Sequence, residues 1–160
     1  MSVNDKGIVD TLKECPENGF RMLMMKYQEP VYWHIRRLVV SHDDAQDASQ
    51  ETFVRIYRSF NQYRGDCSLR SWIYRIATTK SLDHERKKKR KKRFGFVKSI
   101  FGDDSEIVIN PPDFNHPGVA LDKKESAAKL FKAIEKLPEN QKVAFLLNKV
   151  EGLNYQEVSD

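Results

Sequence analysis

Eight consecutive basic residues, RKKKRKKR from Arg86 to Arg93, are the most chemically distinctive stretch of the sequence. The whole chain has a formal net charge of +5, so this basic octet, with its charge of +8, leaves −3 for everything else. A dense run of cations suits a polyanion, because each phosphate that it neutralises releases condensed counterions. A solvated linker or a localisation-type signal has the same composition. The octet alone therefore leaves nucleic-acid contact and plain solvation open.

A cluster of acidic residues offers a second chemistry, since carboxylates can bind Mg²⁺ in a metal-dependent nuclease. Its members are Asp43, Asp44, Asp47 and Glu51. The sequence has no His-x-x-x-His motif, paired cysteines or glycine-rich phosphate loop to support such an enzyme. The neighbours Asp83, His84 and Glu85 cannot all face one point on a helix. We therefore rank a nuclease far below a nucleic-acid-binding protein.

The remaining composition narrows the class of protein further. No apolar run approaches the roughly 20 residues needed to span a bilayer, and the N-terminus lacks a signal-peptide core, so we expect a cytoplasmic protein. Cys15 and Cys67 form no CxxC pair and are expected to be reduced, without a disulfide or a zinc site. We interpret the four histidines as incidental surface or helix residues, and no cofactor is implied.

Helical spacing of apolar residues predicts the elements that would position these charges. One helix or helix pair is predicted from Phe20 to Leu38, with Pro30 as a kink or break. Ser41 can cap a second helix, whose inward stripe is Ala45, Ala48, Thr52, Ile56 and Phe60, so that Asp44, Asp47 and Glu51 share an exposed face. A turn at 63–66 then leads to a third helix, capped by Ser68, with its inner face at Leu69, Trp72, Ile73, Ile76 and Ala77.

The pattern collapses after the basic octet and resumes near Val119. Residues 94–118 contain Pro-Pro and Asn-His-Pro-Gly and predict an irregular linker. Beyond it, one helix ends at Pro138 and another begins there, Gly152 suits a left-handed C-terminal cap, and Asn154 with Glu157 resembles a capping box. The predicted fold is therefore all-α, with small helical domains at 1–93 and 119–160 joined by the linker.

The motifs in this order resemble a known family. The strings D-A-x-D-x-x-Q-E-x-F (44–53), R-G-x-x-S (64–68) and W-I-Y-R-I-A (72–77), followed by L-D-x-x-R (82–86), resemble region 2 of extracytoplasmic-function (ECF) sigma factors of the sigma-70 family. Residues 137–158 resemble the start of region 4, a helix-turn-helix domain. This resemblance implies a non-enzymatic transcription initiation factor that binds core RNA polymerase and recognises and melts the −10 promoter element.

The resemblance also implies a role for individual residues. The polymerase-binding face would comprise Asp44, Asp47, Gln50 and Glu51. The turn after the second helix would capture a flipped base of the non-template strand, and the following helix and octet would face promoter DNA. The residues implied in DNA binding are Tyr63, Arg64, Asp66, Ser68, Arg70, Tyr74, Arg75, Thr78, Thr79, Lys80, Arg86, Lys87, Lys88, Lys89 and Arg90. Tyr63 could equally be partly buried rather than stacked on a base, whereas Trp72 is expected in the core.

Two departures from the family pattern limit what it implies. Thr78-Thr79 replace the Arg-Asn that is common after I-A, so base preferences of relatives do not transfer. The sequence also ends before the turn and the recognition helix of region 4, so we expect it to read a −35 element poorly, and the helix-turn-helix domain to be incomplete. An anti-sigma protein, which could hold the chain at the membrane, is a further expected partner. The alternative is a helical adaptor that binds nucleic acid through the octet without polymerase.

Overall fold

The computed structural model describes residues 4–39, 41–100, 129–130 and 132–159. Four helices form the larger unit: α1 (Asp5–Glu14), α2 (Pro16–Leu38), α3 (His42–Ser59) and α4 (Leu69–Ile100), with a 3-10 turn at Phe60–Gln62 between α3 and α4. A short second unit contains α5 (Glu139–Phe145), a π-helical turn (Leu146–Val150) and α6 (Tyr155–Ser159). Residues 129–130 and 132–135 are also helical. No strand occurs among these described residues, in agreement with the predicted all-α class.

The helices begin where the sequence supplies a cap. The Ser41 hydroxyl accepts a hydrogen bond from the Asp44 amide, and the Ser68 hydroxyl accepts one from the Ser71 amide, so both predicted caps are confirmed. Asn154 and Glu157 form the predicted reciprocal capping box at α6, with distances of 2.9 and 3.0 Å. Before it, Gly152 has φ +70°, the left-handed conformation expected there, which glycine adopts without a steric penalty.

The core lies among α1, α2, α3 and α4. The predicted inward stripe of α3 is buried along its whole length, from Ala45 to Phe60. These residues pack against Ile8 and Leu12 of α1 and against the apolar faces of α2 and α4. α1 is also tied to α2 by polar contacts, because Asp5 accepts hydrogen bonds from Lys26 at 2.7 Å and from the Tyr27 hydroxyl at 2.8 Å.

Of the alternatives left open at Pro30, a break is wrong, because α2 runs unbroken to Leu38. The end of α4 differs from the sequence-based expectation. α4 continues to Ile100, seven residues into the stretch predicted as linker, because the Lys and Arg residues of the basic octet favour helix and no proline follows them before residue 111. The rest of that predicted linker, 101–118, lies outside the described residues.

The second unit packs directly on the first. Leu146 is completely buried and belongs to the same core as α1 to α4, while Leu147 and Leu153 pack against Tyr74 of α4. Among the described helices, none is long and apolar enough to span a lipid bilayer.

Candidate nucleic-acid and polymerase interface

The turn before α4 displays polar side chains at the surface. Arg64 and Asp66 are exposed, and Gly65 between them has φ +83°, which strongly favours glycine at this position. Ser68 closes the turn by capping α4, and Arg70 extends from the first turn of that helix. Four of the predicted DNA-contacting residues are thus grouped at one end of α4.

Tyr63 is half-buried rather than openly displayed. Its ring lies 5.3 Å from the Trp72 ring and 6.0 Å from the Phe60 ring, measured between centroids. Its hydroxyl donates a 2.7 Å hydrogen bond to the Cys67 carbonyl. Of the two alternatives for this residue, the structure favours partial burial. Trp72, expected in the core, is partly buried and packs against the main core.

The expectation that α4 presents Tyr74 and Thr78 outward is wrong for this arrangement of the chain. Tyr74 is 1 % exposed because Leu147 and Leu153 cover it, and its ring meets the His34 ring edge-on at 5.0 Å. Burial is the main reason that the pKa of its hydroxyl is raised. Thr78 is also buried, since α4 packs on α2 there and its hydroxyl lies 2.8 Å from Nε2 of His34.

The next residues of α4 divide between solvent and α3. Arg75 and Thr79 are exposed, as predicted. Lys80 is half-buried, with its Nζ 3.4 Å from a carboxylate oxygen of Glu51. Lys80 is therefore oriented toward the acidic face of α3 as well as toward the surface predicted to meet DNA.

Most of the basic octet is solvent-exposed. Arg86, Lys87, Lys89 and Arg90 are all exposed, and Arg86 pairs with Glu139 of the second unit at 2.8 Å. Lys88 differs from them, since it is half-buried and forms an ion pair with Asp44 of α3. The octet thus combines an exposed cationic surface with one residue, Lys88, that ties α4 to α3.

The predicted polymerase-binding residues lie on α3, beside α4. Asp47 and Gln50 are exposed, whereas Asp44 and Glu51 are paired with cations of α4. Desolvation raises the pKa of the Glu51 carboxyl, but the hydrogen bond and charge of Lys80, with His84 Nε2 at 3.4 Å, outweigh it and hold that pKa below its ordinary value. The Glu51 carboxylate therefore keeps its negative charge at neutral pH.

The acidic cluster does not form a metal site in the part of the chain that the structure describes, where no three His, Cys, Asp or Glu residues are placed to share an ion. Two of its carboxylates, those of Asp44 and Glu51, are turned toward lysines instead. This geometry gives the nuclease alternative no support.

The second unit covers the start of α4. The Glu157 carboxylate accepts hydrogen bonds from Ser68 at 3.0 Å and from Ser71 at 2.7 Å. Arg70 donates to the Glu151 carbonyl, and its guanidinium lies 5.6 Å from the centre of the Tyr74 ring. Three of the predicted DNA-contacting residues, Ser68, Arg70 and Tyr74, are thus engaged by the chain itself.

A buried polar cluster that the sequence did not reveal lies beneath this contact. His34 is completely buried, with its Nδ1 3.3 Å from Oε1 of Glu151, and Arg37 donates to the same oxygen at 2.8 Å. Burial raises the pKa of the Glu151 carboxyl, but its contacts with His34, Tyr74 and Arg37 outweigh this and lower it. The interpretation of His34 as an incidental residue is therefore wrong, because it connects α2, α4 and the second unit.

Comparison with protein families accounts for both units. The sigma-70 region 2 family matches residues 23–91, and the sigma-70 region 4 family matches residues 127–160, so that the two matches together cover more than half of the chain. The first match contains the α3 face and the α4 turn, and the second contains the residues that cover the start of α4.

Individual relatives align over almost the whole sequence. The RNA polymerase sigma-H factor of Pseudomonas aeruginosa is 29% identical over 158 residues, which are 97% of this chain and 80% of that protein. The ECF RNA polymerase sigma-E factor of Escherichia coli K12 is 27% identical over 157 residues, 98% of this chain and 82% of that protein.

Solved structures share the fold at lower sequence identity. CnrH, in complex with the cytosolic domain of CnrY, is 16% identical with a TM-score of 0.64 over 97% of this chain and 80% of that chain. The sigma factor RpoE of Bartonella quintana, in complex with the anti-sigma factor NepR, is 18% identical with a TM-score of 0.62 over 88% of this chain and 80% of that chain. Together with the order of the two family matches, these relatives establish that the chain is a member of the sigma-70 family and an ECF sigma factor.

Proposed function

We propose that the chain binds core RNA polymerase through α3 and, in that complex, captures and melts the non-template strand of a −10 promoter element at the start of α4. Residues 1–93 would form the polymerase- and −10-binding domain, residues 94–118 the linker, and residues 119–160 the region 4 domain. The chain would act in the cytoplasm without catalysing a reaction itself.

The observation that carries this proposal is the side-by-side placement of two different surfaces on packed helices. On α3, Asp47 and Gln50 are exposed on a face that retains negative charge. On α4, exposed polar and cationic residues extend from the turn at 64–68 to the octet. A negatively charged face is complementary to a basic protein partner. Polar groups followed by cations are complementary to an unpaired strand that continues into a duplex.

The duplex side of the interface would be supplied by the exposed cations of the octet. They can neutralise phosphates without reading bases, while the turn would capture a single unstacked nucleotide. Arg64, Asp66 and Ser68 offer donors and acceptors to the edge of a base. Arg75, Thr79 and Lys80 would follow along the strand.

Anti-sigma proteins are the third class of partner in this proposal. Of the two solved structures, that of RpoE is a complex with the anti-sigma factor NepR, and that of CnrH is a complex with the cytosolic domain of CnrY. Such a partner would act by covering either the α3 face or the start of α4. Membrane attachment of the sigma factor would then be indirect, through the anti-sigma protein.

Co-elution with purified core RNA polymerase tests the central claim, with Asp47→Arg as the test variant. Because Asp47 is exposed on α3, reversing its charge should abolish co-elution and leave the helical circular dichroism of the chain unchanged. Asp10→Arg, an equal charge change at an exposed position of α1, is the matched control and should co-elute like the original chain.

The same experiment separates the sigma factor from the adaptor alternative. The original chain and polymerase together should select particular sequences in forked DNA, whereas the chain alone should not. Failure to co-elute, combined with tight salt-sensitive binding to any DNA, would contradict the proposal and favour an adaptor acting through the octet.

A further inference from the structure

The turn that precedes α4 has few internal supports for its backbone. On one side, the Tyr63 amide donates to the Phe60 carbonyl at 2.9 Å and closes the 3-10 turn. On the other side, the Ser68 carbonyl accepts from Trp72 at 3.0 Å and belongs to α4. Between them, Arg64 has no regular structure and residues 65–67 form bends. Their conformation must therefore be fixed largely by side chains.

One side chain spans this gap from its first residue to its last. The Tyr63 hydroxyl donates a 2.7 Å hydrogen bond to the carbonyl of Cys67, four residues later. Gly65, inside the loop that this bond closes, has φ +83°. The hydrogen bond thus selects one shape of the turn from the many that a loop containing glycine can adopt.

The ring that carries this hydroxyl is itself held in place. It packs against Trp72 and Phe60 at centroid distances of 5.3 and 6.0 Å, and both partners contact the main core. Burial raises the pKa of the Tyr63 hydroxyl, so it remains a protonated donor at neutral pH. The turn is therefore fastened to the core through an anchored, neutral hydrogen-bond donor.

We propose that Tyr63 is a positioning residue, whose hydroxyl holds the 64–68 turn in the shape that reads a flipped base, and that its ring does not stack on that base. This inference rests on the proposed function. It assigns the base contacts to Arg64, Asp66 and Ser68 and gives Tyr63 an indirect part in promoter specificity.

Tyr63→Phe distinguishes positioning from stacking, because phenylalanine keeps the ring and loses only the hydroxyl. The probe is a set of fluorescent forked DNAs with each of the four bases at each unpaired position, bound by the complex of the chain with core polymerase. A single turn-closing hydrogen bond accounts for about a fivefold change in an equilibrium. We expect the affinity ratio between the preferred and the worst base to fall by about fivefold at one position, again from loss of that bond.

Two other readouts should not change in that variant. Co-elution with polymerase and the salt dependence of fork binding should match the original chain, since neither depends on the shape of the turn. Tyr155→Phe, at a tyrosine that is 75% exposed, is the matched control and should preserve the base ratio. The proposal would be overturned if Tyr63→Phe kept the affinity ratio between the preferred and the worst base while Tyr63→Leu lost it. That result would show that the ring stacks on the base.

A second measurement needs no DNA and keeps the inference separate from the proposed function. Cys67 is half-buried in the turn, so its thiol reports on how often the turn opens. In a Cys15→Ser background, Tyr63→Phe should raise the rate of reaction of Cys67 with a disulfide reagent by about fivefold, from loss of one hydrogen bond. An unchanged rate would refute the positioning role, whatever the chain binds. If the Cys67 reaction rate rises in Tyr63→Phe but the complex of the original chain with polymerase shows no base preference, only the proposed function is contradicted.

Discussion

His34 is surrounded by groups that respond differently to its protonation. Its Nε2 lies 2.8 Å from the Thr78 hydroxyl, its Nδ1 lies 3.3 Å from the Glu151 carboxylate, and the Tyr74 ring packs against it. The Arg37 guanidinium lies close enough to lower its pKa. Burial is the largest influence, and the pKa of His34 is lowered overall in spite of the neighbouring carboxylate.

This lowered pKa has a definite consequence for stability. Below the ordinary value of 6.5, the unfolded chain protonates this histidine while the folded chain keeps it neutral, so the unfolded state binds more protons. The free energy of unfolding should therefore fall as the pH drops from about 7.5 to about 5.5. His34→Gln, which retains hydrogen-bonding groups and does not titrate, should flatten this part of the profile. Urea unfolding followed by circular dichroism at several pH values measures it.

The matched control is His42→Gln, because His42 is exposed, with its Nδ1 2.6 Å from the Tyr32 hydroxyl. It should keep the pH dependence of the original chain. The measurements stay above about pH 5 to exclude the titration of the Glu151 carboxyl. Its pKa is also lowered, so its protonation at lower pH would likewise reduce the free energy of unfolding. A slope that persists in His34→Gln would locate the responsible group elsewhere.

The residues that sequence reasoning identified correctly are those with local partners. The caps at Ser41, Ser68 and Asn154 involve amides within three residues, so a short motif suffices to find them. His34 contacts a carboxylate in the last part of the chain, and neither residue carries a local signal of that contact. Tyr74 was misjudged for the same reason, since the leucines that bury it belong to the second unit.

At the scale of elements, α4 contains the basic octet, and the contribution of that charge to DNA binding can be tested by its salt dependence. Replacing the exposed residues Lys87, Lys89, Arg90 and Lys91 with Gln should weaken fork binding by the polymerase complex at low salt. If each cation neutralises one phosphate, the slope of log affinity against log salt should become less negative by about 3.6, from about 0.9 per phosphate. Fluorescence anisotropy over a salt series gives the slope.

Four exposed lysines of the second unit provide the control for this change in charge, namely Lys129, Lys132, Lys136 and Lys149. Their replacement with Gln removes the same amount of charge, but at a distance from the face of α4 proposed to meet the duplex. The slope of log affinity against log salt should then change by less than the contribution of one phosphate. Equal effects of the two sets would mean that only net charge matters. Lys88 is left out of the test set because it pairs with Asp44 and its loss would also alter the α3 face.

The elements were predictable where apolar spacing repeats and less so at their ends. The inward stripe of α3 and the inner face of α4 follow directly from the 3.6-residue period. The early end assigned to α4 came from expecting irregular chain after the octet, although lysine and arginine favour helix. α1 was not predicted, yet Asn4 caps it and Ile8 and Leu12 form its buried face, a signal too short to stand out in ten residues.

For the molecule as a whole, the contact of the second unit with the start of α4 leads us to expect that the isolated chain binds forked DNA weakly. The Glu157 carboxylate accepts hydrogen bonds from the hydroxyls of Ser68 and Ser71 and lies near the Arg70 guanidinium. Glu157→Arg removes the acceptor and places like charges together. The isolated variant should bind forked DNA about tenfold more tightly, because charge-assisted hydrogen bonds of this kind are lost from the closed arrangement. Anisotropy without polymerase measures the gain.

Added positive charge could raise affinity for DNA by itself, so the comparison must be with an equal charge change. Glu135→Arg, at an exposed position of the second unit, supplies it. Equal affinities of the two variants would show that the second unit does not restrict binding. In the presence of polymerase, where the start of α4 is expected to be open, Glu157→Arg should lose its advantage over the control.

The continuity of α4 has a further consequence, because one rigid helix carries both the turn at its start and the cations near its end. From Ser68 to Arg86 the helix advances about 27 Å at 1.5 Å per residue, which equals about eight base pairs of duplex. In the proposed complex, the length of α4 would therefore set the distance between the captured nucleotide and the nearest phosphates bound by the octet. One residue inserted into the middle of α4 would lengthen the helix only slightly but rotate the octet by about 100°, away from the strand it had faced.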